Sequence, residues 1–400
     1  VNCVGISAGS QHSKEALEWI DYLSHQAVVT TQGLLQPLPA RPSVAETHGT
    51  WQGLEAGVKD AVQFALKHAM YRVEQPDLLA ALRTAVALSI QDRSNLPQAF
   101  AAILDNAARI ETAPSSSSIT PVAVNPPIPT PQVDEITIHY LANWGSEGFS
   151  DRIAALIPEF QSQNPGIRVD FSFGFNSSDG YILRDLAKNY DCFTYYSPVW
   201  EPVPEADLID LEPLMEVEGA GFREDFLSAY LDSFRVDGKL YALPADVDVS
   251  IVAYNQSLFT DLGLLPPEPD WTLQDLLSIA TKAANNSTNQ PIFGFAASAD
   301  LLLDSRGVQW YEFQDGIPRA LFNTPEMAST LEWINQLYNS GAFLPAYGAN
   351  LPGKPRNYTD YEAAISNGQV AMWVVSAGDK NEESVKFKIG YASLPVDENG

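Results

Sequence analysis

The sequence is poor in the residues that build disulfide frameworks, metal centres and nucleic-acid interfaces. It contains two cysteines and five histidines, and its 23 basic residues face 50 acidic ones, which gives a formal net charge of −27. Two cysteines make neither a disulfide framework nor a zinc motif. The negative charge repels phosphates, so nucleic acid and anionic membrane surfaces are not expected partners. No apolar run reaches the ~20 residues that a membrane-spanning helix needs.

Apolar residues, in contrast, are plentiful. They make up 45% of the 400 residues, and eight of the aromatic residues are tryptophans. Because single hydrophobic cores stop growing near ~250–300 residues, a chain of this length predicts two or more domains. The chain starts at Val1 without a methionine or signal peptide and ends in turn-like sequence, so we expect a piece of a longer protein.

A proline-rich segment divides the chain. Residues 111–134 contain six prolines and four consecutive serines, a composition typical of an extended linker. Residues 1–110 carry 8 basic and 10 acidic residues, a net charge of −2, whereas residues 135–400 carry 15 and 38, a net charge of −23. The two parts therefore have different surfaces.

The part after the linker alternates strands with helices, which indicates βαβ units and a parallel sheet. We predict a strand at 136–141, a helix at 150–164, a strand at 167–173, a helix at 181–188 and a strand at 192–196. The part before the linker reads as a strand at 1–7, a helix from Ser13, and helices at 54–71, 78–90 and 97–110. One strand and several amphipathic helices cannot bury their apolar faces alone, so the first part needs a sheet from elsewhere.

Seven short motifs after residue 236 occur together in an order that resembles one known family. They are DGKLYALP (237–244), AYNQSLF (253–259), LGL (262–264), WTLQDL (271–276), FNTPE (322–326), NGQVAM (367–372) and YASLP (391–395). Together they resemble the extracellular solute-binding proteins, family 1, of ABC importers, the maltose-binding-like group. The resemblance implies an α/β fold of the periplasmic-binding-protein type II, with two lobes joined by a hinge and the ligand between them.

The first part resembles the carboxy-terminal portion of the same family. The matching stretches are GISAGS (5–10), ALEWI (16–20), PARPSV (39–44) and LRTAV (82–86). We therefore interpret 1–110 as the end of a solute-binding module that completes both lobes, 111–134 as a linker, 135–244 as lobe 1 and 245–400 as lobe 2, in permuted order and cut from a tandem repeat. The alternative is that 1–110 pair only with a module that precedes Val1.

Ligand candidates follow from that fold, because parallel α/β sheets place their ligands at the carboxyl ends of the strands. Carboxylates accept hydrogen bonds from sugar hydroxyls, and aromatic rings cover the apolar faces of a sugar ring. The candidates in the loops and strands at this edge are Trp144, Glu147, Tyr195, Trp200, Asp246, Asp248, Trp310 and Trp373.

Each candidate also has a structural interpretation. Trp373 lies in a predicted strand and can equally face the core, and Trp310 can do the same. Asp246 and Asp248 can hold a hinge by hydrogen bonds. Trp19 lies in a helical apolar stripe and is expected in the core, as is Trp271 at the start of a helix.

We expect neither a metal nor another cofactor. Phenolate oxygens of Tyr195 and Tyr196 suit ferric iron, but the five histidines are not clustered and the pair lies in the first lobe. Cys3 and Cys192 are on predicted neighbouring strands and read as buried apolar residues rather than as a bridge.

The function that the resemblance implies is a non-catalytic receptor that delivers a sugar or oligosaccharide to the permease subunits of an ABC importer. It would lie in the periplasm or outside the cell, with a lipid anchor or a partner as its one link to the membrane. The alternatives are a ligand-sensing domain fused to a signalling or membrane protein, and a glycosidase that uses two carboxylates such as Asp246 and Asp248.

Overall fold

The computed structural model describes residues 2–26, 38–54, 56–68, 82, 135–142, 147–174, 183–196, 207–236, 238–247, 249–285, 291–314, 317–322, 324–345, 358–377 and 385–397. The predicted helices at 78–90 and 97–110 and the linker at 111–134 lie outside these residues, apart from Leu82.

Strands and helices alternate through most of the described chain. The strands are β1 (Asn2–Ile6), β2 (Leu38–Pro39), β3 (Ile136–Ala142), β4 (Ile167–Phe173), β5 (Cys192–Tyr196), β6 (Arg235–Val236), β7 (Lys239–Leu240), β8 (Leu243–Pro244), β9 (Asp246–Val247), β10 (Ser250–Asn255), β11 (Phe293–Ala297), β12 (Tyr311–Gln314), β13 (Ile317–Ala320), β14 (Phe343–Pro345), β15 (Val370–Ser376) and β16 (Ile389–Ala392). The helices are α1 (Ser13–Ser24), α2 (Pro42–Thr47), α3 (Thr50–Gly53), α4 (Ala56–Lys67), α5 (Glu147–Gln163), α6 (Leu183–Asn189), α7 (Glu212–Glu218), α8 (Ala220–Glu224), α9 (Ser228–Asp232), α10 (Gln256–Leu262), α11 (Leu273–Ala283), α12 (Ala299–Ser305), α13 (Pro325–Asn339) and α14 (Tyr358–Ser366).

The described residues separate into two compact units. Unit 1 contains those within 2–53 and 135–247, and unit 2 contains those within 54–68, residue 82, and those within 249–397. Each unit combines a five-stranded sheet with helices, which confirms the predicted α/β class with two lobes. After the proline-rich segment, the chain enters unit 2 after residue 248. The first part of the chain contributes to both units.

The sheet of unit 1 joins strands from both sides of the proline-rich segment. Its order is β4-β3-β5-β1-β8. β3 is parallel to β4 and β5, whereas β1 runs antiparallel between β5 and β8. The predicted strand at 1–7 is therefore confirmed, and the sheet that it needs is encoded after the proline-rich segment.

Helix α1 covers this sheet with its apolar stripe. The Trp19 side chain is fully buried, and its ring meets those of Tyr140 on β3 and Phe160 on α5 edge-on, with centroids 5.7 Å and 5.0 Å apart. Burial of ~200 Å² of aromatic surface at ~25 cal/mol per Å² is worth about 5 kcal/mol. The prediction that Trp19 belongs to the core is confirmed.

The sheet of unit 2 has the order β14-β11-β15-β10-β16. β11 is parallel to β14 and β15, and β10 is antiparallel to β15 and β16. Helix α4, from the first part of the chain, packs beside β16 and β10. Trp271 is buried, and its Nε1 donates to the carbonyl oxygen of Ser393 over 2.9 Å, as suits a core indole at the start of α11.

Cys3 and Cys192 lie on adjacent strands but at different levels. Cys3 is opposite Tyr195 and Cys192 is opposite Ile6, so the two are three residues apart along the ladder, about 10 Å. A disulfide needs Cα atoms within ~7 Å, and no disulfide joins these two buried cysteines. Burial, and then the charge of Asp191, raises the pKa of the Cys192 thiol.

We therefore expect both thiols to be unreactive in the folded protein. Titration with an aromatic disulfide reagent should detect no fast thiol under native conditions and two after denaturation without a reductant. If fewer than two thiols react in the denatured chain, a disulfide must join the two cysteines. That result would contradict the register of β1 and β5, which keeps them too far apart for a bridge.

A close approach of backbone to backbone in unit 2 depends on a glycine. A Cβ atom at Gly294 on β11 would lie 2.0 Å from the carbonyl oxygen of Ala280 on α11. Because both groups belong to the backbone, no rotamer change can relieve that clash. Gly294 therefore sets how closely α11 packs on the sheet.

We expect Gly294→Ala to lower the free energy of unfolding by at least about 3 kcal/mol, because overpacking here displaces backbone. Gly166→Ala is the matched control, since a Cβ at Gly166 meets nothing within 4 Å. It should change the free energy of unfolding by no more than about 1 kcal/mol. Equal effects of the two substitutions in urea denaturation would contradict the packing described.

Candidate functional site

The carboxyl ends of the three parallel strands of unit 1 meet at one edge of its sheet. Ala142, at the end of β3, is opposite Phe173 on β4 and Thr194 on β5. Ligands of parallel α/β sheets bind beyond this edge. It is therefore the candidate site, and the predicted residues can be placed against it.

β1 brings two of the predicted positions to this edge. Cys3 is opposite Tyr195 on one side and Pro244 on the other, so the backbones of Tyr195 and Pro244 are two strand spacings apart, about 10 Å. Asp246 follows two residues after Pro244 and is opposite Pro39 of β2. Tyr195 and Asp246 are 51 positions apart in sequence, and β1 joins β5 to β8, the strand that ends two residues before Asp246.

A third predicted position lies near the same edge. Glu147 is the first residue of α5, and this helix begins five positions after Ala142, the last residue of β3. The edge therefore gathers the backbones of Glu147, Tyr195 and Asp246. Trp144, Trp200 and Asp248 lie outside the described residues.

Trp310 is part of the core of unit 2. Its side chain is 2% exposed, and its Nε1 donates to Asp304 Oδ1 over 3.3 Å. Its ring meets that of Tyr311 edge-on, with centroids 4.8 Å apart. Within unit 2 this indole is a packing residue with a satisfied polar atom, and its contribution to a ligand stays a prediction.

Trp373 lies on the central strand of the sheet of unit 2. It is opposite Ala253 on β10 and Ala296 on β11, and these two small neighbours leave room for the indole. The ring is 1% exposed and meets that of Phe387 edge-on, with centroids 6.1 Å apart. Central strands of α/β sheets are covered on both faces, so a tryptophan here packs whichever way it points. A ligand role for Trp373 also stays a prediction.

A buried arginine near this edge was missed by the sequence reasoning. Arg41 is 2% exposed, and its Nη2 lies 2.6 Å from Asp21 Oδ1 while its Nη1 lies 3.3 Å from Asp225 Oδ2. Its Nε donates to the Ser24 hydroxyl over 2.8 Å. Burial lowers the pKa of the Arg41 guanidinium, and the two carboxylates oppose that shift. In the sequence, this arginine is part of the PARPSV motif, but the motif does not indicate which residues it pairs with.

Two aromatic rings complete the surroundings of Arg41. Its guanidinium carbon lies 4.6 Å from the ring centroid of Phe222 and 4.2 Å from that of Phe226. The Ser43 backbone and hydroxyl both donate to Asp225, over 3.1 Å and 2.5 Å. These contacts fix the segment that follows β2. β2 itself pairs with β9, so its Pro39 lies opposite the backbone of Asp246.

The comparison with protein families decides the identity of the chain. The model of the bacterial extracellular solute-binding protein family matches residues 146–400. The chain belongs to this family. Its members are binding proteins, in agreement with the prediction of a non-catalytic module, and the family is extracellular.

Curated relatives carry more specific names. The chain is 28% identical over 204 residues to a mannitol-binding protein of Pseudomonas aeruginosa, covering 46% of this chain and 43% of that protein. It is 24% identical over 202 residues to an arabinooligosaccharide-binding protein of Bacillus subtilis, covering 48% of this chain and 43% of that protein. The chain thus spans less than half the length of these curated relatives.

A solved structure is also similar. The ABC substrate-binding protein of Listeria monocytogenes in complex with cycloalternan is 20% identical, with a TM-score of 0.46. The match covers 66% of this chain and 68% of that chain.

Among the residues that the structure describes, no helix has both the length and the apolar character required to cross a membrane. The same residues contain no group of three or more histidine, cysteine, aspartate or glutamate side chains arranged to hold a metal ion.

We expect Arg41→Met to lower the free energy of unfolding by about 3 kcal/mol, because it leaves Asp21 and Asp225 without their shared cation. Arg223→Met on the neighbouring helix α8 is the control. Arg223 is 46% exposed and pairs with Glu212 over 2.7 Å, so its removal should cost no more than about 1 kcal/mol. Equal midpoints for the two variants in urea denaturation would show that the Arg41 cluster adds nothing beyond a surface ion pair.

Proposed function

We propose that this protein is a receptor that binds a sugar, a polyol or an oligosaccharide and delivers it to an ABC importer. The observation that carries the proposal is the family match over residues 146–400. The names of the two curated relatives narrow the solute class, since mannitol and arabinooligosaccharides are both uncharged and rich in hydroxyl groups.

The candidate edge has the residue types that such a solute needs. Carboxylates of Glu147, Asp246 and Asp248 accept hydrogen bonds from hydroxyl groups, and the rings of Trp144, Tyr195 and Trp200 cover C–H surfaces. Three of these positions have their backbones at this edge, and each of the others follows a strand of the same edge by no more than four residues. Trp310 and Trp373 are the remaining members of the proposed set.

The partners follow from the proposed role. An importer receptor meets its permease subunits outside the cytoplasmic membrane, so the protein would work in the periplasm or at the cell surface, free or held by a lipid anchor. The net charge of −27 gives such a receptor no attraction to anionic lipid headgroups.

We also propose that residues 1–110 are the carboxy-terminal portion of a module in permuted order, with 111–134 as the linker, 135–244 as lobe 1 and 245–400 as lobe 2. The pairing of β1 between β5 and β8 supports this arrangement. So does the division of the first part, whose residues 2–53 join unit 1 and whose residues 54–68 join unit 2.

The test of the solute class is a panel that includes mannitol, arabinotriose and maltotriose, measured by thermal shift and calorimetry. A solute at 100 times its dissociation constant should add about 2.7 kcal/mol to the free energy of unfolding. Trp144→Ala and Asp248→Ala should each weaken the binding of the selected solute at least tenfold without lowering the unfolding midpoint of the free protein.

Asp261→Ala is the control, because Asp261 is an exposed carboxylate on α10 and is not one of the candidate residues. The affinity of the Asp261→Ala variant for the selected solute should equal that of the unmodified protein. Unchanged affinity in both Trp144→Ala and Asp248→Ala would refute the residue assignment, and a panel without any stabilising carbohydrate or polyol would refute the solute class.

A further inference from the structure

A cavity lies at the opposite edge of the sheet of unit 1 from the candidate site. Its volume is about 560 Å³, and its polar lining residues include Ser10, His139, Arg184, Lys188, Asp191 and Asp207. Asp191 immediately precedes β5, and Ser10 follows the end of the antiparallel strand β1. The cavity is therefore at the amino end of β5, whereas the candidate site for the solute is at its carboxyl end.

One wall of this cavity is fixed by hydrogen bonds. Asp191 Oδ1 accepts from the Ser10 hydroxyl over 2.6 Å, and Asp191 Oδ2 accepts from the His139 backbone N–H over 2.8 Å. The His139 ring in turn lies 2.9 Å from Asp170 Oδ2. Both oxygens of Asp191 are thus occupied, which holds this carboxylate in place.

Asp207 differs from Asp191 in that one of its carboxylate oxygens accepts no hydrogen bond from the described residues. Its residue is 7% exposed, and among the described residues its Oδ2 has no hydrogen-bond partner. Its Oδ1 lies 3.6 Å from Arg184 Nε, too far for a hydrogen bond. Buried carboxylate oxygens normally have a donor, so this oxygen is suited to a donor that a ligand brings.

Two cations on α6 border the same cavity. Arg184 and Lys188 are four positions apart, so both lie on one face of the helix. Their side chains are 55% and 63% exposed, and their carboxylate contacts, to Asp207 and to Asp185, are 3.6 Å and 3.7 Å long. Both contacts exceed hydrogen-bond length, so the N–H groups can turn to an acceptor in the cavity.

We propose that this cavity binds a small zwitterion, with an ammonium group that donates to Asp207 Oδ2 and a carboxylate that accepts from Arg184 and Lys188. The charges of the lining select this class. A ligand with only a cation is repelled by Arg184 and Lys188, and one with only an anion is repelled by Asp191 and Asp207. The proposal does not depend on the solute-binding role, because its residues lie at the other edge of the sheet.

The experiment is calorimetry on the full chain with glycine, 4-aminobutyrate and 6-aminohexanoate, three zwitterions whose charges are progressively farther apart. Butylamine and butyrate serve as probes with one charge each, and mannitol as a neutral one. We expect saturable binding of at least one zwitterion and at least tenfold weaker binding of both singly charged probes. No binding by any zwitterion, or equal binding of butylamine, butyrate or mannitol at this cavity, overturns the proposal.

Two substitutions locate the binding. Asp207→Asn removes the charge that the ammonium group needs and should weaken the zwitterion at least tenfold. Gly9→Leu should do the same by filling the cavity, since Gly9 lines it, a Cβ there meets nothing within 4 Å, and the N–H of the adjacent Ala8 donates to the Asp207 carbonyl over 2.9 Å. Because Gly9→Leu leaves the carboxylate intact, it keeps the test valid if Asp207→Asn does not fold.

Gly166→Leu is the matched control, because its Cβ is equally unobstructed and Gly166 does not line the cavity. It should bind the zwitterion as the unmodified protein does. Equal affinity in Asp207→Asn, Gly9→Leu and Gly166→Leu would overturn the assignment of the cavity. Titration of the solute selected from the carbohydrate panel should be unchanged in Gly9→Leu, so failure of this proposal and failure of the proposed function give different results.

Discussion

The insertion of β1 between β5 and β8 is the interaction on which the rest of unit 1 depends. It joins β1 to residues about 190 positions away on β5 and about 240 positions away on β8, and without it the sheet would end at β5 with an unpaired edge. The cost of closing so long a loop grows only with the logarithm of its length. The apolar burial of Trp19 and the ladder hydrogen bonds of β1 can offset such a cost, because aromatic burial alone is worth several kcal/mol.

Apolar packing and ion pairing contribute differently to the attachment of the first part of the chain to unit 1. The apolar stripe of α1 supplies most of the favourable free energy, but apolar contacts are not directional. Arg41 supplies direction, since its planar guanidinium meets Asp21, Asp225 and two aromatic rings in one arrangement. A buried ion cluster of this kind is a weak source of net stability and a good source of a unique geometry. The geometry that it fixes is that of the segment leading from β2 into α2.

Local pattern and family resemblance predicted the strands and helices of unit 1 well. The predicted strand at 167–173 and the observed β4 coincide, as do the predicted strand at 192–196 and β5, because alternating apolar residues bounded by polar turns leave little choice. Trp310 and Trp373 were ambiguous for a physical reason. A tryptophan on a sheet covered on both faces has the same sequence pattern whether it faces a core or a ligand. Pairs such as Arg41 with Asp225, or Arg184 with Asp207, are set by tertiary packing across 184 and 23 positions, and no local pattern encodes them.

The shared edge has a thermodynamic consequence for a bound solute. Its candidate residues sit on chain segments that β1 and β2, both from the first part of the chain, hold beside β5 and β9. A solute that contacts those segments binds only when they are docked, and it therefore stabilises the docking by the same free energy with which docking favours the solute. Substitutions that loosen the first part, at Trp19 or Arg41, act on this equilibrium without touching the ligand. Under the proposed function, affinity for the solute and cohesion of the two parts of the chain are in that sense a single property of the sheet.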